Sequence, residues 1–131
     1  MHPNPIVMKT AVSIFGDMET IRLIAPLDVV DFHNFMKSSY LILTDSGGIQ
    51  EEATILGKPV LVMRDTTERP EGISAGTLKL VGIEEEKIYT AFSHLLDDKD
   101  AYKKMSVKSD VYGDGLASKR IADILEFEVM R

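Results

Sequence analysis

The chain of 131 residues has no cysteine. Disulfide bridges and thiolate metal sites are therefore excluded, and a reducing compartment is compatible with that. Long apolar runs are missing too: none approaches the roughly 18 residues that a membrane-spanning helix needs. The opening Met1-His2-Pro3-Asn4-Pro5 carries neither the charged leader nor the apolar stretch of a secretory signal, so a cytoplasmic protein is expected. Positive charge is in short supply. Fifteen Lys and Arg against 21 Asp and Glu leave a net charge of −6. The basic footprint of a nucleic-acid-binding domain is absent, and the negative surplus argues for solubility alone. No internal repeat and no low-complexity segment interrupts the chain.

What is there is an ordinary globular mixture, 44% hydrophobic and 27% charged. The length suits one domain, spanning residues 1–131, that buries roughly two thirds of its unfolded surface. Asn4-Pro5 reads as a helix start, an N-cap residue followed by Pro at the first helical position. Val7, Ala11, Ile14 and Phe15 follow at helical spacing, and Gly16 closes the element. Thr20 to Ala25 reads as a short strand ended by Pro26. Asp28 caps a second helix that includes Val29, Phe32 and Met36. Tyr40 to Thr44 is a continuous apolar run, as in a strand buried on both faces. After Asp45-Ser46-Gly47-Gly48 comes a helix with Ile49, Ala53 and Leu56 on one face, stopped by Gly57 and Pro59.

Val60 to Met63 reads as the next buried strand, and the polar loop Arg64 to Pro70 follows it. A short segment from Glu71 to Ala75 precedes a brief strand at Thr77 to Val81. Ile88, Phe92, Leu95 and Leu96 mark a helix, a further helix is expected from Lys99 to about Val107, and Ala117, Ile121, Ile124 and Leu125 mark the last. The Tyr112 to Gly115 loop is expected to position that last helix. Alternating strands and helices give an α/β domain whose parallel sheet is covered on both faces. In such sheets ligands bind beyond the carboxyl ends of the strands, where two polar loops lie: Thr44 to Gly48 and Arg64 to Glu71.

The first loop joins a strand to a helix whose opening turn offers free N–H groups and a partial positive charge. Glycine permits close approach of a phosphate, and Ser46 adds a hydroxyl donor. Glu52, four residues after Gly48, lies on the same helix side about 5–6 Å away, placed to accept from ribose hydroxyls rather than to meet a diphosphate. The plainer alternative is a Gly-Gly turn that only reverses the chain, with Ser46 as a cap and Glu51 and Glu52 as solvated surface. In the second loop Arg69 offers a bidentate fork for a phosphate. The alternative there is a network of ion pairs and caps among the loop's own residues. His33 and His94 lack metal-ligand spacing.

Thr44-Asp45-Ser46-Gly47-Gly48-Ile49-Gln50-Glu51-Glu52-Ala53 and Arg64-Asp65-Thr66-Thr67-Glu68-Arg69-Pro70-Glu71 together resemble one family. It is the non-hydrolysing UDP-N-acetylglucosamine 2-epimerases of bacteria and archaea. Gly57-Lys58-Pro59-Val60-Leu61-Val62 between them, Ala75-Gly76-Thr77, Tyr112-Gly113-Asp114-Gly115 and His2-Pro3-Asn4-Pro5 extend the resemblance over almost the whole chain. It implies the C-terminal half of a two-domain fold of the glycosyltransferase-B type, that is, a three-layer Rossmann-like domain. The active site of such enzymes is the cleft between the domains, and their acid and base carboxylates and catalytic histidine belong to the absent N-terminal domain.

The reaction implied is interconversion of UDP-N-acetylglucosamine and UDP-N-acetylmannosamine by elimination and re-addition of UDP, with no cofactor. By position, Ser46, Gly47, Gly48, Glu52 and Arg69 match UDP-contacting residues, and Phe32 matches an aromatic beside the uracil. Phe32 also reads as a helix-packing residue, stapled to Leu27. Leu27 stands where some relatives have Gln, which puts a side-chain contact there in doubt. His2 resembles a residue at the allosteric site of some bacterial members; the alternative is an ordinary terminal histidine. The resemblance also implies a homodimer in the full protein and a last helix that packs across both domains. The fragment alone is expected to be inactive. A UDP-sugar glycosyltransferase domain, a stand-alone nucleotide-binding module and a receiver-type regulatory domain are the competing readings. The last needs an acidic cluster after the first strand, where this chain has Ala25-Pro26.

Overall fold

Parallel strands need partners on both sides of a crossover, and here three segments supply them. The computed structural model describes residues 3–129, with side chains as far as residue 127. Its sheet comprises β1 (Ile42–Thr44), β2 (Val60–Val62) and β3 (Leu78–Leu80), in the order β1-β2-β3. Both pairings are parallel, with Thr44 opposite Val62 and Val62 opposite Leu80. The chain divides into two compact units, Met1–Phe35 and Met36–Arg131.

The second unit has two cores, one on each face of the sheet, because successive strand side chains point to opposite sides. On one face Val60, Val62 and Leu78 are buried with Ala53 of α3 (Gly47–Leu56), and Ile42 and Leu80 pack against them. On the other, Leu61 and Val81 are buried with Ala91 and Leu95 of α5 (Glu85–Asp97), and Met105 of α6 (Lys99–Met105) packs there too. The result is the expected three-layer Rossmann-like α/β/α arrangement. Gly57 ends α3 in the left-handed region, with φ 70° and its N–H returned to the carbonyls of Ala53 and Thr54. An L side chain there would be strained, which is why glycine stops this helix.

The buried stripe of α3 differs from the expected one. Gln50, Ala53 and Thr54 are fully buried, whereas Ile49 and Leu56 are half-buried. Hydrogen bonding makes the polar stripe tolerable: Thr54 Oγ1 donates to the Gln50 carbonyl at 2.8 Å and shares a 3.0 Å hydrogen bond with the Thr77 hydroxyl. A short helix α4 (Pro70–Ser74) follows the second polar loop. The last helix, α7 (Ala117–Val129), begins beside Asp114. The Asp114 carboxylate accepts from the Leu116 N–H at 3.0 Å and binds both Arg120 terminal nitrogens at 2.8 and 2.6 Å. The preceding loop thus positions α7, as expected.

The first unit contains α1 (Pro5–Phe15), where the Asn4 side chain accepts from the Ile6 N–H at 2.9 Å as the sequence suggests. α2 (Val29–Ser38) starts at Asp28, whose carboxylate accepts from the Asp31 N–H at 2.9 Å. None of the described residues before Met36 is fully buried. The strand expected at Thr20 to Ala25 is not formed: these residues are irregular and stand outside the three-stranded sheet. A short apolar run becomes a strand only when a ladder receives it, and alternation alone does not supply the ladder.

Candidate functional site

The two polar loops leave the carboxyl ends of neighbouring strands, so the sheet itself sets them side by side. Thr44 closes β1, and its hydroxyl accepts from the Ser46 N–H at 3.0 Å. This contact turns the chain into α3. Ser46 takes the extended backbone of an N-cap, φ −84° and ψ 131°, yet its side chain makes no capping hydrogen bond. Its hydroxyl is thus not committed to the helix start. Gly47 and Gly48 form the first turn, whose N–H groups have no partner within the helix and lie at the positive end of its dipole. The two glycines differ. A Cβ on Gly47 would come within 2.7 Å of Glu68 Oε1 and 3.9 Å of Arg69 Nη2, whereas one on Gly48 would meet nothing within 4 Å. The second loop arches over Gly47, and Gly48 faces open space.

The second loop is bound to itself and to α3. Arg64 Nη1 donates to Glu68 Oε2 at 2.9 Å. The Arg69 guanidinium donates through Nε to the Glu51 carboxylate and through Nη1 to the Glu68 carbonyl at 3.3 Å. The hydrogen bond that Arg69 donates to Glu51 pushes the Arg69 pKa above its usual value. Glu68 is held below the usual carboxylate range, first by a backbone N–H and further by Arg64 and Arg69. Thr67 Oγ1 donates to Gln50 Oε1 at 2.7 Å and accepts from the Arg69 N–H at 3.1 Å. Tyr112 closes the far side: its hydroxyl accepts from the Gly72 N–H at 2.9 Å and donates to the Arg69 carbonyl at 3.3 Å. Partial burial raises the pKa of that phenol.

Of the residues singled out from the sequence, Ser46, Gly47, Gly48, Glu52 and Arg69 gather on β1-α3 and the adjoining loop. Glu52 is half-buried in the second turn of α3. Phe32 is half-buried in α2 and belongs to the first unit. His2 lies outside the described residues. Four contributors escaped the sequence reading: Gln50, Glu51, Thr67 and Tyr112. Only Gln50 left a signal, a polar side chain on the sheet-facing stripe of α3 one turn after Ser46. A recess of about 730 Å³ lies elsewhere, between β3 and α5, and reaches this region only through Arg64 and Asp65. Its lining mixes Lys79, Lys87 and His94 with Glu84 and Glu86, and Lys87 is paired with Glu84 at 2.8 Å. Mixed charge, part of it paired internally, favours neither a cation nor an anion, so the helix start beside Arg69 is the stronger candidate.

Comparison with known proteins identifies the family of the chain. The protein-family model described as UDP-N-acetylglucosamine 2-epimerase matches residues 1–126. The UDP-N-acetylglucosamine 2-epimerase of Bacillus subtilis is 61% identical over 97% of this chain and 33% of its own length. Among solved structures, the S. aureus MnaA-UDP co-structure superposes with a TM-score of 0.93 at 55% identity, covering 98% of this chain and 35% of that one. The UDP-GlcNAc 2-epimerase from Neisseria meningitidis bound to UDP-GlcNAc gives 0.90 at 48% identity, over 95% and 33%. The chain spans about a third of the length of the relatives it matches.

Proposed function

The chain belongs to the UDP-N-acetylglucosamine 2-epimerase family, and from that premise we propose that it is the UDP-binding third of an enzyme interconverting UDP-N-acetylglucosamine and UDP-N-acetylmannosamine. The observation that carries this reading is the open helix start at Gly48, with the Arg69 guanidinium next to Gly47. Ser46 Oγ and the N–H groups of Gly47 and Gly48 take the diphosphate, Arg69 adds a fixed positive charge, and Glu52 takes the ribose hydroxyls. Phe32 serves as the aromatic beside the uracil, and His2 as an effector contact. Two solved relatives, one with UDP and one bound to UDP-GlcNAc, support a nucleotide-sugar ligand.

In the proposed reaction a base removes the C2 proton, the C1–O bond breaks, and UDP leaves with the bonding pair. Re-addition on the unsaturated sugar, with a proton delivered to the opposite face of C2, inverts that centre. Negative charge grows on the diphosphate as the bond breaks, so donors fixed before the reaction stabilise the transition state more than the bound substrate. The carboxylates and histidine that move protons are assigned to an upstream domain, which also closes the cleft and retains the unsaturated intermediate. This chain alone is expected not to epimerise. The whole protein, read as a cytoplasmic homodimer, supplies N-acetylmannosamine for cell-surface polysaccharide.

An amide NMR titration of the chain with UDP tests the half-site. Saturable shifts centred on Ser46, Gly47, Gly48, Glu52 and Arg69 are expected. Shifts absent there at about 10 mM UDP, a concentration that would reveal binding even weaker than about −4 kcal/mol, would sink the assignment.

A further inference from the structure

Gln50 is a fully buried amide that reaches both polar loops. Its Nε2 donates to the Ser46 carbonyl at 3.2 Å, and its Oε1 accepts from Thr67 Oγ1 at 2.7 Å. Only one orientation of the amide works. Turned over, it would set its oxygen against the Ser46 carbonyl and its NH₂ against a hydroxyl that is already receiving the Arg69 N–H. The Thr67 hydroxyl has one proton, spent on Gln50, so its lone pairs face the Arg69 N–H at 3.1 Å. The chain Ser46–Gln50–Thr67–Arg69 is therefore directional, and every member is satisfied. Such a network costs stability if any link is broken, and it holds its ends in one arrangement. Its ends are the residue that opens the anion-binding turn and the arginine beside that turn. We propose that Thr67, seated on buried Gln50, is a positioning residue that sets the Arg69 main chain against the Ser46-Gly47-Gly48 turn, and so fixes the spacing at which a diphosphate is gripped. This rests on the reading of Arg69 as a diphosphate ligand.

The test is a set of UDP titrations by amide NMR on Thr67→Val, Thr67→Ser, Arg69→Ala and the double variant Thr67→Val/Arg69→Ala. Thr67→Val keeps the shape and loses both hydrogen bonds, and is expected to weaken UDP binding about 3- to 10-fold, the worth of one hydrogen bond. Thr67→Ser keeps the hydroxyl and stays within about 2-fold of the parent. Arg69→Ala, which removes a charge-assisted donor, costs about 10- to 100-fold. In the Arg69→Ala background the Thr67→Val effect shrinks below about 2-fold, because it acts through Arg69; a role confined to packing would not couple in this way. Thr67→Ala takes the place of Thr67→Val if the valine variant does not fold.

Unchanged affinity in Thr67→Val beside a clear loss in Arg69→Ala overturns this inference and leaves the Arg69 reading standing. So does a Thr67→Val loss that persists undiminished without Arg69. No loss in Arg69→Ala, or no saturable binding by the parent chain, sinks the reading of the half-site and this inference with it.

Discussion

The two loops at the carboxyl ends of β1 and β2 are neighbours of opposite character. In the Ser46 loop the groups that matter stay uncommitted: a hydroxyl outside the cap, and a glycine with nothing within 4 Å of where a Cβ would stand. In the Arg64 to Glu71 loop the side chains of Arg64, Thr67, Glu68 and Arg69 are engaged, through Arg64–Glu68, Thr67–Gln50 and Arg69–Glu51, and the Tyr112 hydroxyl holds the Arg69 carbonyl. One loop is left open, and the other is an arm held in place. The division is economical in physical terms. Backbone N–H groups at a helix start need no further support, because the helix already fixes them. A long arginine side chain has many rotamers and binds well only if its neighbours restrict it.

The sharpest way to break the held arm is at Gly72. A Cβ there would fall 2.4 Å from Leu78 Cδ1 and 2.5 Å from the Tyr112 hydroxyl. Gly72→Ala is expected to destabilise the chain by about 1–3 kcal/mol, the cost of overpacking a tight site, as read by urea unfolding. A denaturation midpoint equal to the parent's would show that the Tyr112 contact is loose. Gly48→Ala probes the open loop and should separate the two properties. UDP affinity falls by at least about tenfold, 1.4 kcal/mol, while the helix gains up to about 0.5 kcal/mol from losing a flexible residue. If both stability and UDP binding hold, phosphate does not approach there.

Tyr112→Phe keeps the ring but removes the hydroxyl shared by Gly72 and Arg69, costing about 0.5–1.5 kcal/mol of stability. The smallest effect is on acid stability, away from both loops. The Asp114 carboxyl is held below its usual range first by Arg120, and Asp98 first by the N–H of Ala101. A depressed folded pKa gives stability that is present above the unfolded value, 3.8 for aspartate, and lost as pH falls through the folded value. The melting midpoint should therefore hold above about pH 4 and decline below it, and Asp98→Asn should flatten that decline.

Much of this is legible in the sequence. Asn4-Pro5, Asp28 and Gly57-Lys58-Pro59 mark helix ends by local chemistry, and each end lies where those residues put it. The apolar run at 60–63 became a parallel strand buried over Val60–Val62, whereas the run at 40–44 became a strand only over Ile42–Thr44, half-buried at Ile42 and Leu43, with Tyr40 exposed. The clustering of Ser46, Gly47, Gly48, Glu52 and Arg69 also followed from two loops at adjacent strand ends. Less legible was anything that depends on a partner distant in sequence. Thr20 to Ala25 has a strand's residues but no ladder to join. Glu51 looked like solvent-facing helix until Arg69, 18 residues later, came to it. Tyr112 touches Arg69 across 43 positions, which no periodicity encodes.

The stacking of Tyr40 on Tyr102, with ring centroids 4.0 Å apart and planes inclined by 20°, has a spectroscopic consequence. The chain has four tyrosines and no tryptophan, so coupled transitions of this pair should dominate its near-ultraviolet circular dichroism. Tyr102 reaches back to the Tyr40 carbonyl at 2.9 Å, and Tyr40 to the Leu95 carbonyl at 3.3 Å. The signal therefore reports whether α6 remains docked beside the strand that leads into the Ser46 turn. The chain thus carries its own optical gauge of that scaffold, free of any added label.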